Sequence, residues 1–289
     1  MNVAVIGASG QLGSDICRVF DERTFIPLRH QDLDITAFSS VREGLHRLRP
    51  DAVVNCASFT NVEACERDAQ HAYQVNTIGA KNVAIVCNTI GAKAVFISSD
   101  YVFGADSQRS EPYTEFDPVG PINVLGRTKA AGEELVRQMC PRHLIVRTSS
   151  LFGSQGSRVK GGNFVSTILR LAKERGEVRV VNDQVMSPTY TVDLAAKVRQ
   201  LLIEDQYGTF HVTNSGSCSW FEFASHIIKS AGIPAQCVPI SSSEYPSVVK
   251  RPGYSVLGHF HLKLLGMDDM RPWEDAVREY VATLGDQRS

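Results

Sequence analysis

The sequence has no apolar run long enough to cross a bilayer, so no membrane span is expected. It has no excess of either charge: 30 Lys and Arg stand against 31 Asp and Glu, a formal net charge of −1. No large basic field invites nucleic acid or an anionic membrane surface. Cysteine is sparse, odd in number and without a C-x-x-C pair; the seven (17, 56, 65, 87, 140, 218 and 237) mostly sit in apolar or helical surroundings. That pattern points to mostly buried thiols in a reducing compartment, and a cytoplasmic location is expected. The histidines have no metal-ligand spacing; His259 and His261 in "GHFH" alternate as a strand or turn would, and no metal is expected. The opening "MNVAVIGASGQLG" has no basic n-region and its apolar run stops at Gly7, so it is read as a buried strand and not as a signal peptide. There is no internal repeat and no low-complexity linker.

What is present is an alternation of buried strands and helices. "NVAVIG", "TFIPL", "DAVVNCAS", "KAVFISSDYVF" and "HLIVRTSSLFG" read as strands, and helical stretches separate them. These helices are expected from Gln11 to about Phe20, from Ile35 to the stop at Pro50, from Ala64 to Gly91, and from Gly126 to Cys140 before Pro141. Repeated βαβ units mean a Rossmann-type α/β fold, a doubly wound parallel sheet covered on both faces. The second half is less regular. It reads as a smaller, interleaved lobe, with Ser219 and Glu222 spaced as a capping box for the helix in "SWFEFASHIIKSAG". Residues 1–147 are expected to form the cofactor-binding domain. Residues 148–289 are expected to form mainly a substrate-binding lobe, with some segments returning to the sheet.

"GASGQLG" places Gly7, Gly10 and Gly13 between the first strand and the first helix, with Gln11 and Leu12 inside the turn. Backbone N–H groups of such a turn face a pyrophosphate, whose charge the helix N-terminus favours. The spacing G-x-x-G-x-x-G differs from the G-x-G-x-x-G fingerprint, and glycine turns also serve packing. Its place ahead of a βαβ run makes it a dinucleotide site. After the second strand, "PLRHQDLDIT" offers Arg29, where a free ribose 2′-hydroxyl would usually meet an acid. A guanidinium suits a 2′-phosphate, so NADPH is expected, with NADH as the alternative; a solvated surface arginine is the plain reading. Asp34 and Ile35 stand as the edge of the adenine pocket, or Asp34 as a simple N-cap.

"SSDYVFG" ends the fourth strand, where ligands of open α/β sheets bind. Ser99 can hold a substrate carbonyl there, with Asp100 and Tyr101 lining the pocket and Ile97 on the cofactor side. "GASGQLG", "SSDYVFG", "PYTEFDPVGPINVLGRTKAAGEE", "NFVSTILRLAKERGEVRVVNDQVMSPTYTVDLA", "GTFHVTNSGSCSWFEF", "RPGYSVL" and "RPWEDAVREY" together resemble the dTDP-4-dehydrorhamnose reductases, a family of extended short-chain dehydrogenases/reductases, over nearly the whole chain. The resemblance implies NADPH-dependent reduction of the 4-keto group of dTDP-4-dehydro-6-deoxy-L-mannose to dTDP-L-rhamnose. It also implies a nucleotide-sugar substrate and a monomer or homodimer. It assigns the carbonyl contact to Ser99 and the nicotinamide-ribose contact to Lys129. It places Ala57, Ser58 and Phe59 beside the nicotinamide half and Thr60 at the start of the substrate side.

The sequence departs from that pattern twice. The family's general-acid tyrosine falls at position 125, which is leucine. Residues four apart share a helix face, and a nearby ammonium pulls a phenol's pKa down from about 10, so that the phenol acts as acid. Leucine has no proton to give, and Leu125 is left only to line the cofactor. Ser150 stands where the family often has a tryptophan that stacks on the sugar. Asn163 fits a polar sugar contact or a helix N-cap; Arg251 fits a diphosphate contact or a salt bridge. Besides the impaired reductase, two readings stay open: a catalytically silent NADP(H)-binding regulatory subunit, and a reductase of a different nucleotide sugar.

Overall fold

The structure, a computed structural model, describes residues 1–20, 24–154, 162–245, 247 and 249–286. Its centre is a six-stranded sheet that includes β1 (Val3–Ile6), β2 (Phe25–Leu28), β3 (Ala52–Asn55), β4 (Lys93–Ser99) and β5 (His143–Thr148). The sixth strand, Gly208–His211, forms the edge beside β5, and all pairs are parallel. β1 lies between β2 and β3, so the strand order reverses there and opens a crevice at the carboxyl ends of the strands.

Side chains alternate across each strand, and both faces are buried. Val3 and Val5 pack with Leu12 and Ile16 of α1 (Gln11–Val19) and with Leu194 and Val198 of the helix Thr191–Ile203. Ala4 and Ile6 pack on the other face with Val41, Leu45, Val83 and Val86. Each such aliphatic side chain contributes roughly 1.5–3 kcal/mol on burial. A third cluster of buried residues gathers Phe152, Ile168, Phe223, Trp273 and Tyr280. There the capping box on Trp220–Ser230 is formed as its spacing predicts: Ser219 Oγ accepts from Glu222 N, and Glu222 Oε2 accepts from Ser219 N.

Four elements differ from the sequence reading. "KAVFISSDYVF" stops as a strand at Ser99, and Asp100–Val102 turns as a 3₁₀ helix, because Ser99 Oγ accepts the amide of Tyr101 and closes the strand. "HLIVRTSSLFG" breaks after Thr148, since Ser150 adopts φ 48° and the chain resumes extended pairing only at Leu151–Phe152. The long helical stretch up to Gly91 is divided into Val62–Arg67, Ala69–Tyr73, a π-helical segment Gln74–Gly79, and Ala80–Ile90. "GHFH" opens a short helix, Phe260–Leu264, instead of alternating. Among the described residues no helix is long and apolar enough to cross a membrane, and no cluster of His, Cys, Asp or Glu is placed to hold a metal ion.

Candidate active site

The glycine turn sits at the carboxyl end of β1. Gly7 has φ 75° and donates its N–H to Leu28 O at 2.9 Å. Gly10 caps α1 with no side-chain hydrogen bond, so the first amides of the helix keep their capacity for a ligand. A Cβ at Gly13 would lie 2.2 Å from Gly7 O, and one at Gly7 2.9 Å from Ala57 N. Only glycines let the turn, the helix start and the loop after β3 approach this closely. These features fit a dinucleotide pyrophosphate. Gln11 and Leu12 begin α1 beside it.

Arg29, directly after β2, is exposed and makes no ion pair among the described residues. Asp34 acts as a local cap: its Oδ1 accepts from Thr36 N at 2.9 Å and Thr36 Oγ1 at 2.8 Å. Partial burial pushes its pKa up, but these donors outweigh it and hold the carboxyl below its ordinary value. Ile35 is buried in the core with Leu33 and Val41, its carbonyl accepting from Asn82 Nδ2.

The loop after β3 is held by a residue that sequence reasoning missed. Asn76, in the π-helical segment, is buried. Its Oδ1 accepts from Ser58 Oγ at 2.9 Å and Phe59 N at 2.8 Å. Its Nδ2 donates to Phe59 O at 2.9 Å and Thr128 Oγ1 at 3.0 Å. One amide thus fixes the Ser58–Phe59 loop against the helix that carries Lys129. The only sequence signal was a polar residue inside an otherwise helical run. Asn76→Ala leaves several buried groups unpaired and is expected to destabilise the fold by about 2–4 kcal/mol, read as a lower urea midpoint at unchanged slope, together with weaker NADPH binding.

Lys129 lies on the helix Val124–Met139, which starts at the N-cap Asn123. Its Nζ donates to Ile97 O at 2.8 Å and stands 4.8 Å from the centre of the Phe96 ring. Burial pushes its pKa down to about 8, against the pull of Cys56 and Glu133. One turn on, Glu133 anchors the helix to the sheet. It accepts from Ser98 Oγ at 2.6 Å and from Arg147 at 2.9 and 2.7 Å. Neither Glu133 nor Arg147 was singled out from sequence, because their pairing depends on two distant segments.

Leu125 is 5% exposed and packs with Val62, Cys65, Val124, Phe59 and Tyr101. The neighbouring helix start touches the Tyr101 backbone: a Cβ at Gly126 would fall 2.0 Å from Tyr101 O. Tyr113, in the loop upstream, is stacked on Phe103 at 4.1 Å, and its buried hydroxyl has no partner among the described residues.

Ser99 and Asp100 close the sheet end. Ser99 Oγ donates to Asp100 Oδ1 at 2.9 Å, and Asp100 Oδ2 accepts from Ser149 Oγ at 2.8 Å and Ser255 Oγ at 2.7 Å. A narrow cleft brings Asp100, Tyr101 and Ser150 together with Gln184, Trp220 and Arg251. Arg251 pairs with Glu63, the salt bridge of its two sequence readings. Asn163 is the helix cap of its two. Its Oδ1 accepts from Ser166 N, and both amide hydrogens go to Gly153 O and Tyr280 Oη. Both amide hydrogens of Asn163 are thus engaged within the fold, in keeping with the helix-cap reading.

Residues 1–285 match the family described as RmlD substrate binding domain. The spore coat polysaccharide biosynthesis protein SpsK of Bacillus subtilis is 42% identical over 281 residues, 96% of each chain. The dTDP-4-keto-6-deoxy-D-glucose reductase of Streptomyces niveus is 37% identical, covering 99% of this chain and 98% of that one. The crystal structure of dTDP-4-dehydrorhamnose reductase from Bacillus anthracis in complex with NADP superimposes with a TM-score of 0.93 at 40% identity, over 98% of this chain and 100% of that one. The chain belongs to the RmlD substrate binding domain family. The chain carries a glycine turn after β1, a serine at the end of β4 and a buried lysine on the helix Val124–Met139, with an apolar side chain at position 125.

Proposed function

We propose that the protein reduces the 4-keto group of dTDP-4-dehydro-6-deoxy-L-mannose with NADPH, giving dTDP-L-rhamnose, and does so slowly because position 125 has no proton. This reading is supported by the placement of the glycine turn after β1 and of Ser99 at the end of β4, with Lys129 Nζ donating to Ile97 O of that strand, in a chain whose relatives are reductases of dTDP-keto sugars. NADPH supplies the hydride. Lys129 holds the nicotinamide ribose through its buried ammonium, Ser58 and Phe59 line the nicotinamide side, and Ser99 receives the sugar carbonyl. Arg29, which makes no ion pair among the described residues, suits a 2′-phosphate, in keeping with the NADP complex of the Bacillus anthracis relative. No disulfide joins the seven cysteines, which suits work in the cytosol.

A different dTDP-keto sugar is the second reading, favoured by Ser150, which offers the cleft a small polar group in place of a stacking ring. The test mixes purified protein, NADPH and the 4-keto sugar nucleotide and follows absorbance of the reduced cofactor. Slow oxidation with the lyxo-configured sugar supports the first reading, and faster oxidation with another dTDP-4-keto sugar supports the second. NADPH binding without oxidation, in this chain and in Leu125→Tyr alike, sinks both and leaves a cofactor-binding regulatory subunit.

A further inference from the structure

A serine hydroxyl has one proton to give and two lone pairs to offer. Ser99 Oγ accepts from Tyr101 N at 3.2 Å and donates to Asp100 Oδ1 at 2.9 Å. While Asp100 is ionised, the single proton of Ser99 is held by the carboxylate and cannot be offered to a ketone. When Asp100 is protonated the bond reverses. Ser99 then accepts from both Asp100 and Tyr101 N, and its own O–H is free to donate to another acceptor. Ser149 and Ser255 both donate to Oδ2, so the acid's proton belongs on Oδ1, the oxygen that faces Ser99.

The surroundings favour the protonated form. Asp100 is 3% exposed and no cation hydrogen-bonds it among the described residues. Burial pushes its pKa above the ordinary value, with the three serine hydroxyls opposing. Of the charged and titratable groups around it, Arg251 is paired with Glu63 and Tyr101 is a neutral phenol held high by burial.

We propose that Asp100 supplies the proton for ketone reduction in this chain, acting through Ser99. The proposal rests on the reading of the site as a ketone reductase. As hydride reaches the carbonyl carbon, the π pair of the C=O bond passes to oxygen. That oxygen takes the proton of Ser99, and Ser99 takes the proton of Asp100 Oδ1. The product is the alcohol, Ser99 is restored, and Asp100 is left as a carboxylate. Water in the cleft beside Asp100 returns the proton; the room there, about 10 Å³, is on the order of one water.

The test is a cycle of Asp100→Asn in this chain and in the Leu125→Tyr chain. The relay predicts a loss on the order of 100-fold in the first and less than about 5-fold in the second, where a phenol takes over, with NADPH affinity by fluorescence unchanged in both. In this chain kcat/KM falls as pH rises through the pKa of Asp100. Asp100→Asn removes that limb and leaves the separate one that Lys129 sets near pH 8. The double variant Ser149→Ala, Ser255→Ala keeps the carboxyl but removes two donors that favour its ionised form, so it moves the limb to higher pH. Equal losses in both backgrounds, or a limb that survives Asp100→Asn, overturn the relay and leave the reductase reading intact. No oxidation by this chain or by Leu125→Tyr overturns both. If Asp100→Asn does not fold, the serine double variant decides alone, and an unmoved limb overturns the proposal.

Discussion

Leu125→Tyr raises the rate of NADPH oxidation with the 4-keto sugar by on the order of 100-fold. Position 125 lies one helical turn before Lys129, so a phenol there shares a face with the ammonium. Lys129 is cationic below about pH 8 and draws the phenol's pKa down from its ordinary value near 10. A positioned acid contributes about 10²–10⁴ in rate. The lower end is expected, because Ser99 and Asp100 already deliver a proton. The larger ring enters a packed cluster of Val62, Cys65, Val124 and Phe59, and overpacking of this kind costs about 1–3 kcal/mol. The gain in rate therefore comes with a lower melting temperature. Steady-state rates across pH, with NADPH titrated separately, check the result. A variant that binds NADPH as tightly as this chain but is no faster means that protonation at position 125 does not limit the reaction.

Leu125 was conspicuous in the sequence because the resemblance places the family's tyrosine there, four residues before Lys129, and such a relation is local. The glycine turn was legible for the same reason, with seven consecutive residues carrying its whole geometry. The residues that hold the site together were not. Asn76 reaches Phe59 across 17 positions and Ser255 reaches Asp100 across 155. Such contacts exist only once the strands are ordered. Asn163 showed its type of role but not its allegiance, since an asparagine before a helix reads equally as cap and as ligand. Its two donors resolve onto Gly153 and Tyr280 only in the folded lobe. The break at Ser150 was hidden because "HLIVRTSSLFG" has β-branched residues to its left and apolar ones to its right. The positive φ between them follows from where the second segment must pair, Leu151 with Thr189.

Lys129→Met is expected to stabilise the protein while slowing its chemistry. Burial lowers the lysine's pKa from 10.5 to about 8. The unfolded chain thus keeps the proton up to about pH 10.5, whereas the folded chain releases it near pH 8. Between those values the unfolded state binds more protons, so stability rises with pH, and below pH 8 the whole cost of the buried charge is present. A difference of about 2.5 units corresponds to about 3 kcal/mol. Methionine removes that cost, fills similar space and forfeits the hydrogen bond to Ile97 O, worth about 1 kcal/mol. The net gain near pH 7 is about 2 kcal/mol, seen as a melting temperature a few degrees higher, and it shrinks as pH rises from 8 toward 10.5. Reduction falls by on the order of 10²–10³ because a preorganised charge beside the reacting centre is gone, and NADPH binds more weakly. Melting curves at several pH values and a cofactor titration check both halves. A variant that melts lower at pH 7 contradicts the charge cost, and one that keeps its activity removes Lys129 from the site.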